Sequence, residues 1–283
     1  MQSSHTNLIC ARGSGDSSPM FGQGQCVEKL QGHWILARAG KRVLRPGGIE
    51  LTQGMLHALA IGPQDQVVEF APGLGITARM TLERRPASYC GVEREPAAVE
   101  CLWKRLAGTR TRIVFAEAGE SGLPSSSATV VYGEALFSMQ TEEQKKRIIS
   151  EARRLLVSGG RFAIHELCLL PDDIPNATRR EIQMAMSRAI HVGVQPLTRR
   201  EWARCFQQNG FNVVWSRPAP MHLLEPWRLL RDEGFSGALC FVFNVATNPL
   251  VRRRVLAMQQ LFRRYAEHLG AISLVGERQR ANA

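Results

Sequence analysis

A short stretch at residues 67–77, Val-Val-Glu-Phe-Ala-Pro-Gly-Leu-Gly-Ile-Thr, constrains the fold more than any other part of the chain. A β-branched run ends in Glu69, a turn with Gly73 and Gly75 follows, and the next residues suit a helix, so the pattern predicts a strand, a tight turn and a helix. Glycine lets the backbone approach a ligand because it has no Cβ and accepts positive φ. The stretch departs from the dinucleotide-binding fingerprint, since Ala71 replaces the first glycine and the third is missing.

Acidic residues follow three successive predicted strands. The second strand, residues 89–92, ends at Glu93, about 18 residues after Gly75 and close to the roughly 20-residue offset of a ribose-binding carboxylate. The third strand, residues 112–115, is followed by Glu117. Three carboxylates would serve a pyrophosphate poorly. They suit a cofactor with a ribose, an adenine amino group, an ammonium and a sulfonium, because carboxylates accept hydrogen bonds from these groups or pair with their charge.

At these residues the chain resembles the class I S-adenosylmethionine-dependent methyltransferases, in particular the small-molecule, type 11 branch. The resemblance covers roughly residues 60–170 and continues through Val-Val-Tyr-Gly-Glu134 and Phe-Ala-Ile-His-Glu166. It implies S-adenosylmethionine as the cofactor, with the glycine-containing turn at its methionine part, Glu93 at the ribose and Glu117 beside the adenine amino group. The cofactor-binding residues that it implies are Glu69, Ala71, Pro72, Gly73, Gly75, Glu93, Arg94, Glu117, Ala118 and Glu134.

Strands and helices alternate along the chain, which predicts an α/β fold with a parallel sheet and helices on both faces. Thr141–Gln144 and Thr198–Glu201 are capping boxes that predict helix starts, and Gly159 with Gly160 is predicted to end the first of these helices. The resemblance implies a Rossmann-like, doubly wound, seven-stranded sheet, mostly parallel, with an antiparallel final strand between its two predecessors. That final strand is predicted at residues 271–276.

Additional helices are predicted on both sides of this core. Residues 1–25 are rich in Ser, Gly and Gln and are predicted to be a disordered arm, and residues 26–60 are predicted to form an N-terminal helical cap. The methyltransferase domain then spans residues 61–283, with helical insertions at about 171–197 and 223–269, the former as a lid. An apolar stripe from Val251 to Leu269 is predicted to pack on the sheet or on a second subunit, so a homodimer through the C-terminal helical block is a further expectation.

Methyl transfer from a sulfonium needs an aligned nucleophile in a dry site, and a hydroxyl or amine acceptor also needs a base. His165 and Glu134 stand at predicted strand ends and are the first candidates for the base. The alternatives are a structural role for His165 and a cofactor-holding role for Glu134. The candidates for lining the substrate site are His33, Trp34, Tyr132, Met139, Glu166, Met186 and His191. For Trp34 and Met186 the alternative is packing in the core.

The composition limits which binding partners and cellular location can be expected. The 283 residues carry a formal net charge of +11, but the basic residues are mainly arginines scattered along predicted helices, without a recognisable RNA-binding module. The 7 cysteines form no Cys-x-x-Cys pair, so neither a metal site nor a disulfide framework is predicted. The sequence contains no apolar run of about 18 residues and no export signal, so a cytoplasmic protein without a membrane partner is expected.

The residues after the fourth strand bear on the methyl acceptor. They read Tyr-Gly-Glu-Ala-Leu-Phe, without the Asx-Pro-Pro-aromatic turn of nucleic-acid amine methyltransferases or the cysteine nucleophile of cytosine C5 chemistry. A small-molecule acceptor with an O, N, S or C nucleophile, in bacterial secondary or sulfur metabolism, is therefore favoured. Two alternatives stay open: an RNA methyltransferase that uses the arginine-rich face, and a non-catalytic scaffold that binds the cofactor.

Overall fold

The computed structural model describes residues 30–106, 108 and 110–280; the predicted arm at residues 1–25 lies outside them. One sheet contains all the strands assigned in the described part of the chain. These strands are β1 (Gln66–Phe70), β2 (Ser88–Glu93), β3 (Thr111–Phe115), β4 (Ala128–Glu134), β5 (Leu156–Leu169), β6 (Leu197–Thr198), β7 (Phe211–Pro220) and β8 (Leu269–Arg278).

The strand order confirms the predicted doubly wound topology. The order is β3-β2-β1-β4-β5-β8-β7, with parallel pairing from β3 through β5. Strand β8 pairs antiparallel with both β5 and β7 and so lies between its two predecessors. The two-residue strand β6, which pairs with β5 outside this path, is an addition to the seven predicted strands.

The helices form two groups. Those that belong to the sheet core are α2 (Gly48–Ala58), α3 (Ile76–Leu82), α4 (Pro96–Arg105), α5 (Glu142–Leu155) and α7 (Arg199–Gln208). Those that gather beyond the carboxyl ends of the strands are α1 (Gly32–Arg38), α6 (Asn176–Ile190), α8 (Pro226–Thr247) and α9 (Pro249–Arg264).

Helices cover both faces of the sheet, as predicted, because alternate residues of each strand point to opposite sides. Val130 and Tyr132 of β4 belong to a core with α2, α3 and α4, whereas Val131 belongs to a core with α5 and α7. A third core joins α1, α6, α8 and α9. The sheet therefore carries the cofactor-binding turn, and the third core stands over its carboxyl edge.

Both predicted capping boxes are present. The Thr141 side chain accepts a hydrogen bond from the Gln144 N–H, and Thr198 does the same for Glu201. The prediction that Gly159 and Gly160 end α5 is wrong, because α5 ends at Leu155 and Leu156 already has extended backbone angles. The pairing of β5 with β4 shifts register here, so both glycines lie in an irregular early part of β5.

The apolar stripe of α9 packs inside the chain. Val251, Val255, Met258 and Phe262 are buried in the third core, so this stripe is not available to a second subunit. The predicted dimer through the C-terminal block would have to use other residues. Among the described residues, no single helix has the length and apolarity to cross a bilayer; α8 and α9 meet those criteria only as a pair, with a 114° bend between them.

Candidate active site

A cavity of about 780 Å³ opens at the carboxyl edge of the sheet. Its floor is the turn after β1 together with the ends of β2 and β4, and its walls come from α1, α6, α9 and the segment before α2. Such sites hold small ligands in volumes of roughly 300–1,000 Å³. The predicted cofactor and substrate residues that line this cavity are His33, Trp34, Glu69, Ala71, Pro72, Gly73, Glu93, Arg94, Glu117, Ala118, Glu134, Met139, Glu166, Met186 and His191.

The turn between β1 and α3 is shaped as a cradle. Ala71, Gly73 and Gly75 all have positive φ, at 53°, 55° and 76°. The space above Gly73 is open, since a Cβ there would meet only the Ala71 carbonyl oxygen at 3.9 Å. Gly75 is different: it does not line the cavity, and a Cβ there would come within 2.9 Å of Leu102. Gly75 therefore allows α3 to pack against α4. It was predicted to contact the cofactor, but it does not line the cavity.

Glu69 lies at the end of β1 with its carboxylate buried. Its Oε2 accepts hydrogen bonds from the Tyr89 hydroxyl at 2.5 Å and the Tyr132 hydroxyl at 2.7 Å. Burial raises the pKa of Glu69 to about 7, although the two hydroxyl donors oppose the rise. Tyr132 is fully buried and also bonds Thr81, so its prediction as a substrate-lining residue is wrong: it points to the α3 side of the sheet and supports Glu69.

Glu93 ties the end of β2 to the cradle. Its Oε1 accepts the N–H groups of Arg94 and Glu95, at 2.9 and 3.0 Å, and its Oε2 accepts that of Gly73 at 3.0 Å. Burial raises the pKa of this carboxyl despite these bonds. A carboxylate offers about four acceptor positions, so one remains on Oε2 for a ligand hydroxyl. Glu117, after β3, is exposed and pairs with Arg94 at 3.5 Å.

The comparisons with known proteins agree with this architecture. A family model described as "Methyltransferase domain" matches residues 68–164, which include the cradle, Glu93, Glu117 and Glu134. An uncharacterized protein of Haemophilus influenzae is 31% identical over 217 residues, covering 75% of this chain and 84% of that protein.

This chain belongs to the class I S-adenosylmethionine-dependent methyltransferases.

Solved structures of other proteins share the fold, among them the MccD protein and a phosphoethanolamine N-methyltransferase. The MccD protein aligns with a TM-score of 0.65 at 17% identity, covering 83% of this chain and 99% of that one. Phosphoethanolamine N-methyltransferase 2 of Haemonchus contortus, solved with S-adenosyl-L-methionine, aligns with a TM-score of 0.67 at 12% identity, covering 88% of this chain and 57% of that one. The open cradle and its carboxylates fit the same cofactor, which when bound supplies an activated methyl group on a sulfonium.

Glu134 of the methyltransferase joins the cofactor floor to the segment before α2. Its Oε1 accepts the Thr52 hydroxyl at 2.6 Å and lies 3.3 Å from Arg45 Nε, and its Oε2 accepts the Thr77 hydroxyl. Burial by itself would raise the pKa of Glu134, but the Arg45 charge and the hydrogen bonds of His165 and Thr52 outweigh it and hold the pKa at about 2. Glu134 is therefore an ionised anchor at neutral pH and too weak a base to remove a proton efficiently.

His165, the other predicted base, does not reach the cavity. The ring is fully buried, with Nδ1 2.8 Å from Glu134 Oε1 and Nε2 2.5 Å from the Pro46 carbonyl oxygen. Both nitrogens are taken up by buried protein atoms, and the ring does not line the cavity, so neither nitrogen can reach a substrate proton. The prediction of His165 as a catalytic base is therefore corrected: it positions Glu134 and fixes the Pro46 backbone beside the cavity.

Glu166 lies in the cavity wall, but its carboxylate is already used. It accepts the N–H groups of Leu136, Phe137 and Ser138 at 2.7, 2.8 and 3.0 Å and the Ser138 hydroxyl at 2.6 Å. Burial raises its pKa, and these bonds oppose the rise. Glu166 therefore holds the turn after β4 in place and has little capacity left for a substrate.

The other predicted lining residues stand around the cavity mouth and its helical wall. His33 and Trp34 come from α1, with ring centroids 4.6 Å apart, and Met139, Met186 and His191 complete the set. Burial, with a smaller contribution from Arg94, lowers the pKa of His33 to about 4, so its imidazole is neutral near pH 7.

Two parts of the cavity wall, the segment before α2 and the inner face of α9, are not among the predicted site residues. In that segment, Arg45 and Pro46 line the cavity, and Arg45 contacts Glu134. Gly47 has a φ of 76°, and an added Cβ would meet Leu51 at 2.7 Å. The signal in the sequence was a charged residue, Arg45, placed two residues before Gly47, whose positive φ favours glycine. Met258 and Phe262 of α9 also line the cavity and gave none, because a core stripe and a cavity wall show the same periodicity.

Proposed function

We propose that this methyltransferase transfers the methyl group of S-adenosylmethionine to a small molecule held in the cavity beneath α1, α6 and α9. The observation that carries the proposal is the enclosure of the space beyond the carboxylate floor. On the side of α1, α6 and α9 its walls are buried side chains of the third core, and its volume of about 780 Å³ leaves room for a small acceptor beside the cofactor. A folded RNA would need an open, basic surface at this edge instead.

The proposed cofactor contacts follow the floor of the cavity. Glu69 would face the ammonium of the methionine part, the cradle of Ala71, Pro72 and Gly73 would lie along it, and Glu93 would hold a ribose hydroxyl. Glu117 and Ala118 would flank the adenine. Glu134 completes this set indirectly, because it fixes Thr77 at the start of α3.

Alignment and exclusion of water are the main catalytic contributions that we assign to the protein. A neutral leaving thioether needs no acid, so holding the acceptor in line supplies much of the rate. His33 and His191 are the histidines that line the cavity among the described residues. The His33 imidazole is neutral near pH 7, and we assign it the uptake of a proton from a hydroxyl or amine acceptor. With a pKa of about 4 it would be a weak base, which suits an acceptor that ionises readily or a soft nucleophile.

The decisive experiment supplies the purified protein with methyl-labelled S-adenosylmethionine and either pooled small metabolites or total RNA. Transfer to the metabolite fraction is the expected result, and transfer to RNA alone would refute the small-molecule proposal. Calorimetric titration with S-adenosylmethionine runs in parallel. Tight binding without transfer to either pool would favour the scaffold alternative. Gel filtration at two concentrations tests the predicted homodimer, which stays a prediction.

A further inference from the structure

The cavity has two chemically different ends. The cofactor floor described above is lined by carboxylates. The opposite end, which we term the apolar compartment, is lined by side chains from α1, α6, α9 and the loop after β7. Its residues are Leu36, Met186, Met221, Leu223, Met258 and Phe262. All six are nearly inaccessible to solvent and belong to the third core, so the compartment is a recess inside that core and not a surface groove.

Every arginine of the cavity wall already has a carboxylate partner. Among the described residues no lysine lines the cavity, and the arginine pairs, with nitrogen-to-oxygen distances of 3.0, 3.3, 3.5 and 3.7 Å, are Arg42–Glu233, Arg45–Glu134, Arg94–Glu117 and Arg147–Glu120. Glu69 and Glu93 add carboxylates to the wall without adding cations. Arg45 Nη2 has no hydrogen-bond partner among the described residues, but the Arg45 charge is offset by Glu134. An acidic group of an acceptor would therefore enter a wall that carries more carboxylates than cations.

We infer that the methyl acceptor is an electrically neutral, predominantly apolar molecule whose hydrocarbon part occupies the apolar compartment. The inference rests on the proposed small-molecule methyl transfer and names its substrate class. Burying an unpaired anion is strongly unfavourable, whereas burying hydrocarbon is favourable in proportion to the apolar area removed from water. The three methionines of the compartment can adapt their rotamers to an irregular shape, because their side chains are unbranched and polarizable.

Two matched fluorescent probes test the charge of the acceptor without knowing its identity. N-phenyl-1-naphthylamine is neutral, and 8-anilinonaphthalene-1-sulfonate has the same rings with one sulfonate. Both are titrated into the full-length protein saturated with S-adenosylhomocysteine. The expected result is one binding site per chain for the neutral probe and at least about tenfold weaker binding of the sulfonate. Equal or tighter binding of the sulfonate would overturn the inference.

Two aspartate variants locate the probe. Leu223→Asp places a charge in the apolar compartment from a loop, where a helix is not disrupted, and should weaken the neutral probe by about tenfold or more. Leu239→Asp is the matched control, because Leu239 is 60% exposed on α8 beside Phe235. It should leave probe binding unchanged. Loss of binding in Leu239→Asp with none in Leu223→Asp would place the probe on the α8 surface and refute the inference.

Titration with S-adenosylmethionine separates this inference from the function on which it rests. Cofactor affinity unchanged in Leu223→Asp shows that the floor is intact, so a loss of probe binding then reports on the compartment. Displacement of the neutral probe from the cofactor-free protein by S-adenosylmethionine would show that both use one space and would refute a separate compartment. If the cofactor does not bind to the unaltered protein, the proposed function fails before the substrate class is at issue.

Discussion

The protonation of Glu69 should control cofactor affinity near neutral pH. Burial raises its pKa from 4.5 to about 7, equivalent to about 3 kcal/mol of preference for the protonated form. A bound ammonium requires the ionised form, so binding must release a proton whenever Glu69 is protonated. For a single group with a pKa of about 7, the affinity for S-adenosylmethionine should fall about tenfold from pH 8 to pH 6.

Calorimetry across this pH range measures the effect directly. At pH 7, titrations in buffers of different ionisation enthalpy should show about half a proton released per cofactor bound. Glu69→Gln should abolish the pH dependence. Tyr89→Phe should move the transition to higher pH, because the Tyr89 hydroxyl stabilises the ionised carboxylate from 2.5 Å. The control is Glu120→Gln, which removes the same charge from an exposed part of the cavity wall.

The raised pKa of Glu69 should also make the free energy of unfolding of the ligand-free protein depend on pH. A raised folded-state pKa stabilises the protein fully below the unfolded value of 4.5, and this contribution is lost as the pH rises through about 7.

A pH-independent cofactor affinity between pH 6 and pH 8, or an unchanged pH dependence in Glu69→Gln, would refute the role of this carboxyl in cofactor binding.

Three further predictions concern the framework of the site. Ala71→Gly should raise the free energy of unfolding by about 1 kcal/mol, because Ala71 has a φ of 53° where an L-residue is strained; a lower melting temperature would contradict this. Thr198→Ala should cost about 1 kcal/mol in urea denaturation through loss of its capping box, with the exposed box at Thr141 as the matched comparison. Glu166→Gln should cost about 1–3 kcal/mol, since an amide cannot accept all four hydrogen bonds; equal urea midpoints would argue against it.

The sheet and the cofactor floor followed from local sequence. Strands β1 to β4 are short and mostly apolar, and each is followed by an acidic residue or a turn. Their register and their position at the rim therefore follow from the local sequence. Glu69 and Glu93 fall on one cavity because parallel strands end at a common edge. The wrong prediction that Gly159 ends α5 also has a physical origin. The glycines indicate that the helix stops nearby, but the sequence does not show that Leu156 already pairs with Ala128 of β4.

The roles of His165 and Tyr132 could not be predicted in this way. Both residues stand near strand ends, and the sequence places them at the rim without saying which way each side chain points or what meets it there. Tyr132 is turned away by its bond to Glu69, and His165 is enclosed by a carbonyl from a segment about 120 residues earlier. A contact over such a separation leaves no periodic or compositional trace.

The segment from residue 41 to residue 49 explains how the two halves of the cavity are joined. At its start, Glu233 of α8 accepts the backbone N–H groups of Arg42 and Val43, both at 2.8 Å. At its end, His165 bonds the Pro46 carbonyl oxygen, and between them Arg45 reaches Glu134. The cofactor floor is formed by residues 66–134, with Glu134 held by Arg45, Thr52 and His165, whereas the acceptor wall depends on α8 and α9 holding this segment. Changes in the C-terminal helices should therefore alter which acceptor is methylated while leaving cofactor affinity nearly intact.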